Sequence, residues 1–197
     1  MRPALTPISQ IDRDFVGLRT RVSGRIIETR GHADGHLFLR VKDESGGVIF
    51  IPLFSNVKSG LDEKIELVDR IQVSGKIEIY EGDLELIPED ATDVKIVKTA
   101  PTKISEIDRN RLGEKVKVRG FVEKKKPVGT GNLIINLRDE EKSLPIFISR
   151  KVVESKNFPE IREGQTVQTA GQVMLFDNEL QIEIPNPHNI DVIGEVR

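Results

Sequence analysis

The stretch His36-Leu37-Phe38-Leu39-Arg40-Val41-Lys42 alternates strictly between two kinds of residue. An extended strand repeats every two residues, so Leu37, Leu39 and Val41 would face a core and His36, Phe38, Arg40 and Lys42 would face solvent. Cations of this sort hold phosphates, and a flat apolar ring offers a stacking surface, so the outer parity suits a polyanion that carries planar groups. More cations lie nearby. Arg13, Arg19, Arg21, Arg25 and Arg30 precede this stretch against only Asp14, Glu28 and Asp34. A second cluster, Arg109, Arg111, Lys115, Lys117, Arg119 and Lys124-Lys125-Lys126, stands against Glu114 and Glu123, with Arg138 further on. Tyr80 and Phe176 each end an apolar run just before a short acidic turn, and Phe147 lies in a third run; all three are candidates for stacking. By contrast, Glu78, Glu81, Asp83, Glu85, Glu89, Asp90 and Asp93 make one region acidic. The formal net charge of −2 therefore hides a polarised distribution able to hold a polyanion on one side and repel it on the other.

Other chemistries find less support. His32-Ala33-Asp34-Gly35-His36 contains residue types that ligate transition metals. The segment is short and glycine-rich, and it reads as a polar turn whose histidines contact ligand or water, so no metal and no cofactor are expected. Without cysteine, disulfides, thiol catalysis and Cys-based zinc sites are excluded. There is no phosphate-cradling Gly-Lys-Ser/Thr loop and no nucleophile-elbow sequence, so catalysis is not expected. Asp43-Glu44 and Asp139-Glu140 fall at turns and read as structural. No stretch approaches the apolar length of a membrane span, and Met1 to Gln10 lack a signal-peptide core, so a cytoplasmic location is expected. High Lys and Glu content gives the composition a thermophile-like character.

The elements that position these residues occur twice. Shifted by 96 positions the sequence matches itself: Ile8-Ser9-Gln10-Ile11-Asp12-Arg13 becomes Ile104-Ser105-Glu106-Ile107-Asp108-Arg109, and Gly24, Leu37, Asp43 and Gly75 meet Gly120, Leu133, Asp139 and Gly171. One register without a gap is expected. The period is too long for a solenoid unit and suits a whole small domain. The expected organisation is a first domain at 1–97, a linker at 98–103 and a second domain at 104–197. In each domain a short helical or turn segment precedes the strands. The first has strands at 21–29, 36–42, 48–54, 70–80 and 84–88, with a short helix between the third and fourth. The second has strands at 117–123, 132–138, 144–149, 166–176 and 180–184. The third strand of the first domain is apolar enough to be buried on much of both sides. Lys124 to Lys126 fall in the loop after the first strand of the second domain.

The pattern Ile-x-x-Ile, then Gly-x-x-x-x-Val-x-Gly-x-Ile, then Leu-Phe-Leu-Arg-Val-Lys-Asp-Glu-Ser-Gly-Gly-Val-Ile-Phe-Ile-Pro-Leu-Phe, then Val-Ser-Gly-Lys-Ile-Glu-Ile-Tyr-Glu-Gly-Asp-Leu-Glu-Leu resembles nucleic-acid-binding OB domains. The types it is similar to are the anticodon-binding domains of class II aminoacyl-tRNA synthetases, the replication protein A domains, and the OB domain of exonuclease VII large subunits. The resemblance implies an all-β chain of two tandem five-stranded OB-fold barrels, each with a short helical insert. It also implies that ligand crosses strands 2 and 3 between the 1–2 and 4–5 loops. The expected ligand is single-stranded DNA or RNA, bound without catalysis and without a membrane. The residues expected to carry it are Arg21, Arg25, Arg30, His36, Phe38, Arg40, Lys42 and Tyr80 in the first domain, and Lys117, Arg119, Lys124, Lys125, Lys126, Arg138, Phe147 and Phe176 in the second. The alternative is a protein-interaction or scaffold subunit of a repair or RNA-processing complex, with one barrel engaging a protein partner.

Overall fold

The computed structural model describes residues 3–195, which fall into two compact units, Met1–Thr99 and Ala100–Arg197. Unit 1 contains β1 (Arg19–Gly31), β2 (Leu37–Lys42), β3 (Val48–Leu53), helix α1 (Ser55–Ser59), β4 (Arg70–Tyr80), β5 (Asp83–Ile87) and β6 (Val94–Val97). Unit 2 repeats the order with β7 (Lys115–Val128), β8 (Asn132–Arg138), β9 (Ser143–Ile148), α2 (Arg150–Val153), β10 (Gln165–Phe176), β11 (Glu179–Ile184) and β12 (Ile190–Glu195).

In unit 1, β1 pairs with β2, β2 with β3, and β5 with β4, all antiparallel. A parallel β3–β5 pair and an antiparallel β1–β4 pair close the barrel. Unit 2 closes in the same way through β9–β11 and β7–β10. These are two tandem OB-fold barrels. The sixth strand of each unit, β6 on β4 and β12 on β10, was not foreseen. Val-Lys-Ile-Val at 94–97 is too short to stand out as a strand until β4 offers it an edge.

Alternation drives the closure. Residues of one parity along each strand meet inside the barrel, as Val22, Ile26, Leu39, Val41, Ile51, Ile71, Val73, Ile77 and Leu86 do in unit 1. β1 serves two partners: Arg19 to Arg25 pair with β4, and Arg25 to Gly31 pair with β2 beyond a bulge at Ile26/Glu28. The bend brings other backbones very close. A Cβ on Gly24 would lie 2.6 Å from the Lys42 carbonyl oxygen, and one on Gly120 would lie 2.6 Å from that of Arg138. Any side chain there would force the strands apart, which is why glycine interrupts an otherwise β-branched strand.

Asp43 fastens the segment before β1. Its Oδ2 accepts from the Ile8 N–H at 2.7 Å, which holds Ile8 in the core. In unit 2, Asp139 accepts from the N–H groups of Ser105, Glu141 and Lys142. Burial works against ionisation of both carboxyls, yet these donors hold each below the usual carboxylate range. Of the segment expected as a linker, Lys98 and Thr99 are hydrogen-bonded into unit 1 at Asp69, and the Thr102 N–H donates to the Lys117 carbonyl of unit 2.

The repeat is not free of gaps. The turn between β2 and β3 spans residues 43–47, whereas that between β8 and β9 spans 139–142, one residue fewer. Phe50 opposes Arg40 and Pro145 opposes Asn136, so across the third strand the offset is 95. Lys76 opposes Arg19 and Gln172 opposes Lys115, which restores 96 by the fourth strand. The correction matters because a one-residue offset changes which side chains face outward.

Candidate functional site

The outer faces of β2 and β3 carry two rows of side chains. Arg30, Phe38 and Pro52 are successive neighbours across β1, β2 and β3. Beside them Glu28, Arg40, Phe50, Glu85 and Glu78 run from β1 through β2, β3 and β5 to β4. Phe38 and Phe50 stack with ring centroids 5.7 Å apart and an interplanar angle of 27°. The Arg30 guanidinium lies over the Phe38 ring at 5.3 Å, within cation–π range. His32 stacks on His36 at 5.6 Å and meets Phe38 edge-on at 6.0 Å, while Phe54 meets His36 edge-on at 5.3 Å.

Phe38, Phe50, Phe54 and His32 line an open groove of about 930 Å³, bordered by Arg13, Arg30 and Arg40 and by the hairpin Tyr80–Leu84. Glu81 and Gly82 have φ of 51° and 95°, the left-handed pair that a two-residue hairpin turn requires, and Tyr80 projects beside it, 61% exposed. The groove is electrically polarised. Arg40 is 3.4 Å from Glu28 at one end. At the other, burial first and then the charges of Asp83, Glu78 and Glu81 push the Glu85 carboxyl above its usual range.

His32, Asp34 and His36 bring one ligand atom each within 4.8 Å of one another. The Ser55 N–H donates to His36 Nδ1 at 2.9 Å, so the neutral ring carries its proton on Nε2. In that state His36 has no lone pair for an ion. The donor set as arranged does not fit a metal, and His32 serves as groove wall.

The structure therefore brings Arg30, His36, Phe38, Arg40 and Tyr80 together. It leaves others elsewhere. Lys42 and Arg25 oppose each other on the outer surface at the bend of β1, beyond the groove. Arg21 lies on the β4 side of β1, where Ala4 to Thr6 pair along it. In unit 2, Lys117 is a correction: it is 2% exposed, because the segment around Thr102 pairs along β7 and covers it. Arg119 donates to Gln168 on β10, away from the β8–β9 face. Lys124 to Lys126 are also corrected, from loop to strand: β7 continues to Val128 beyond a bulge at Val122/Lys124, as β1 does. Lys125 is tied down, its N–H to Glu163 and its ammonium to the Ile161 carbonyl, whereas Lys124 and Lys126 are exposed opposite Asn136 and Ile134. Arg138 pairs with Glu123 at 3.0 Å. Phe147, whose face was ambiguous in the sequence, points outward opposite Ile134, and Phe176 stands 62% exposed at the hairpin end of β10.

Sequence reasoning missed Phe50 and Phe54. The apolar run Val48 to Phe54 reads as buried on much of both sides, yet Ile49 and Ile51 are buried while Phe50 between them is half-buried. The period-two rule that placed Phe38 outside was the available signal.

Residues 20–94 match the family model described as the OB-fold nucleic acid binding domain. A stretch of 71 residues is 31% identical to the exodeoxyribonuclease 7 large subunit of Lachnoclostridium phytofermentans, covering 36% of this chain and 18% of that protein. The matched region is thus under a fifth of that relative's length. Among solved structures, the tetrameric p202 HIN2 domain superposes with a TM-score of 0.52 at 12% identity, over 89% of this chain and 94% of that one. Asparaginyl-tRNA synthetase from Pyrococcus horikoshii aligns over 50% of this chain and 24% of its own, with 19% identity and a TM-score of 0.41. At such identities the HIN2 likeness is one of fold.

Proposed function

We propose that this chain binds single-stranded nucleic acid through the groove of its first barrel, without catalysing a reaction. One observation carries the reading: Phe38 and Phe50 form a stacked aromatic floor between Arg30 and Arg40, on the barrel face and between the loops that OB domains use for ligand. Single strands leave base faces free to stack, and a groove walled by arginines follows their phosphates. A duplex keeps its bases stacked inward and has no use for such a floor. The match of residues 20–94 to an OB-fold nucleic acid binding family supports the same reading. The curated relative is by name a subunit of a deoxyribonuclease, which favours DNA over RNA. In unit 2, Phe147, Lys124 and Lys126 form a weaker auxiliary face. A cytoplasmic site of action belongs to the same proposal.

The test is fluorescence anisotropy with labelled thymidine and uridine oligonucleotides over a salt series. Binding that weakens steeply with salt, with thymidine at least equal to uridine, is expected. No anisotropy change at low salt with either strand overturns the reading.

A second reading has a specific observation behind it. Glu81, Asp83 and Glu85 border the groove and repel phosphate there, which suits a protein partner bearing cations. Recovery of a stable protein partner after nuclease treatment, together with no oligonucleotide binding, would favour it.

A further inference from the structure

The acidic end of the groove adjoins the aromatic floor. Glu85 on β5 stands directly opposite Phe50 on β3. It is only 9% exposed, yet it lines the groove, and its neighbours across β4 and the hairpin are the carboxylates Glu78, Asp83 and Glu81, of which Glu78 is paired with the Lys76 ammonium at 3.1 Å. A carboxylate that is nine-tenths buried beside an open groove, with no cation bonded to it among the described residues, has acceptor capacity that an arriving ligand can use. The arriving group cannot be a phosphate, because Glu81, Asp83 and Glu85 on the groove wall repel it. On a nucleic-acid strand, which carries no cation, it has to be a neutral base edge that presents N–H donors.

Nucleobases meet this requirement unequally. Adjacent strands lie about 4.8 Å apart, so a base stacked on Phe50 turns an edge toward Glu85. Unpaired bases expose their Watson–Crick edges for such contacts. Thymine and uracil present one N–H between two carbonyl oxygens, which a carboxylate repels. Adenine and cytosine present an amino group beside a bare ring nitrogen, again repulsive on one side. Guanine alone offers two adjacent donors, N1–H and the N2 amino group, that match the two oxygens of a carboxylate side by side.

We propose that Glu85 is a specificity-determining residue that selects guanine in the strand lying on the Phe38–Phe50 floor. This rests on the groove being a single-strand site. Phosphates then follow Arg30 and Arg40, while the base edge, and no phosphate, reaches the acidic end. In the second barrel Gln181 occupies the corresponding strand position, opposite Met174, and the carboxylate lies two residues on, Glu183 opposite Phe147.

The test compares three labelled strands on the full chain: a thymidine homopolymer, the same strand with one central guanine, and the same strand with hypoxanthine in that place. Hypoxanthine keeps N1–H and lacks the N2 amino group. The wild type is expected to prefer the guanine strand by about tenfold, with hypoxanthine intermediate. Glu85→Gln should abolish the preference, since the amide offers one acceptor in place of two. Equal wild-type affinity for guanine and hypoxanthine strands overturns the proposal even if the variant does not fold, and so does a preference that survives Glu85→Gln. Binding of all three strands with equal strength overturns the role of Glu85 and leaves the single-strand site standing. No binding of any strand overturns both.

Discussion

The two barrels set different side chains at the same positions of the same sheet. Where unit 1 has Arg30, Phe38 and Pro52 in a row, unit 2 has Lys126, Ile134 and Phe147. The aromatic has moved from the second strand to the third. In the adjoining row, Glu28, Arg40 and Phe50 are replaced by Lys124, Asn136 and Pro145. The first barrel gathers several rings with charges of both signs, while the second keeps Lys124, Lys126 and Glu183 about a single ring, Phe147. A barrel needs only its inner parity to close, so duplication can preserve the frame while the outer parity diverges.

The barrels differ in one internal solution as well. The turn before the fourth strand needs a left-handed residue: Gly164 supplies it in unit 2 with φ of 84°, but Val68 fills the place in unit 1 with φ of 67°. A β-branched residue is strained in that region. Unit 1 holds it with a cluster at Asp69, which is fully buried and accepts from the Lys98 ammonium at 2.9 Å and from the Thr99 N–H, while Thr99 Oγ1 donates to the Val68 carbonyl. Unit 2 uses the neutral Gln165 in place of Asp69, accepting from the Arg162 N–H at 2.7 Å.

The largest expected effect breaks that internal difference. Lys98→Met leaves Asp69 buried without its cation and should cost the first barrel roughly 2–3 kcal/mol in denaturant unfolding. The figure lies below that of a fully buried pair because Lys98 keeps 40% of its side-chain surface. A loss below about 0.5 kcal/mol would mean that the cluster does not hold the turn.

Next comes the floor. Phe38→Ala should weaken oligonucleotide binding by about 1–3 kcal/mol, and Ile134→Ala, at the equivalent position, by under about 1 kcal/mol. Equal losses measured by anisotropy would erase the asymmetry between the barrels.

A smaller effect isolates the second barrel. Lys124→Ala with Lys126→Ala should make the log–log salt dependence shallower by about 1.4 if both ammonium groups meet phosphates. Lys125→Ala should leave that slope alone, because its ammonium is already bonded to the Ile161 carbonyl. An unchanged slope in the double variant would confine binding to unit 1.

The smallest effect concerns pH. The Glu85 carboxyl titrates above its ordinary range in the folded barrel, chiefly through burial and then through the neighbouring acids. As pH falls, the folded chain takes up that proton before the unfolded chain does, so this group adds stability on acidification. Glu85→Gln should therefore stabilise the first barrel at neutral pH by no more than about 1 kcal/mol, an advantage that shrinks through the raised carboxylate range. Asp43 and Asp139 carry the opposite sign, and their contribution is lost as pH falls through their depressed range. A Glu85→Gln advantage that is independent of pH in calorimetric scans would contradict the assignment.

Much of this was legible in the chain. Strict alternation at 37–42 puts Phe38 and Arg40 outside, and the duplicated Asp43 and Asp139 mark turns whose carboxylates accept backbone N–H groups in both units. The site was legible only in part. Phe50 was hidden because an unbroken apolar run gives no polar residue to mark its outer parity. Lys117 looked like an exposed cation because nothing local reveals that a segment some fifteen residues earlier pairs over it. Lys124 to Lys126 looked like a loop because three charged residues without alternation lose the strand signal.

By itself the sequence determined the two barrels, because inner-face periodicity and paired glycines are local properties that recur in both halves. The tertiary structure alone decided which outer side chains meet. Strand register across a parallel β3–β5 pair sets Phe50 against Glu85, and a one-residue change in a turn decides which residues of the third strand face outward. Such neighbours are far apart in the chain and share no sequence signal, since what joins them is the closure of the barrel.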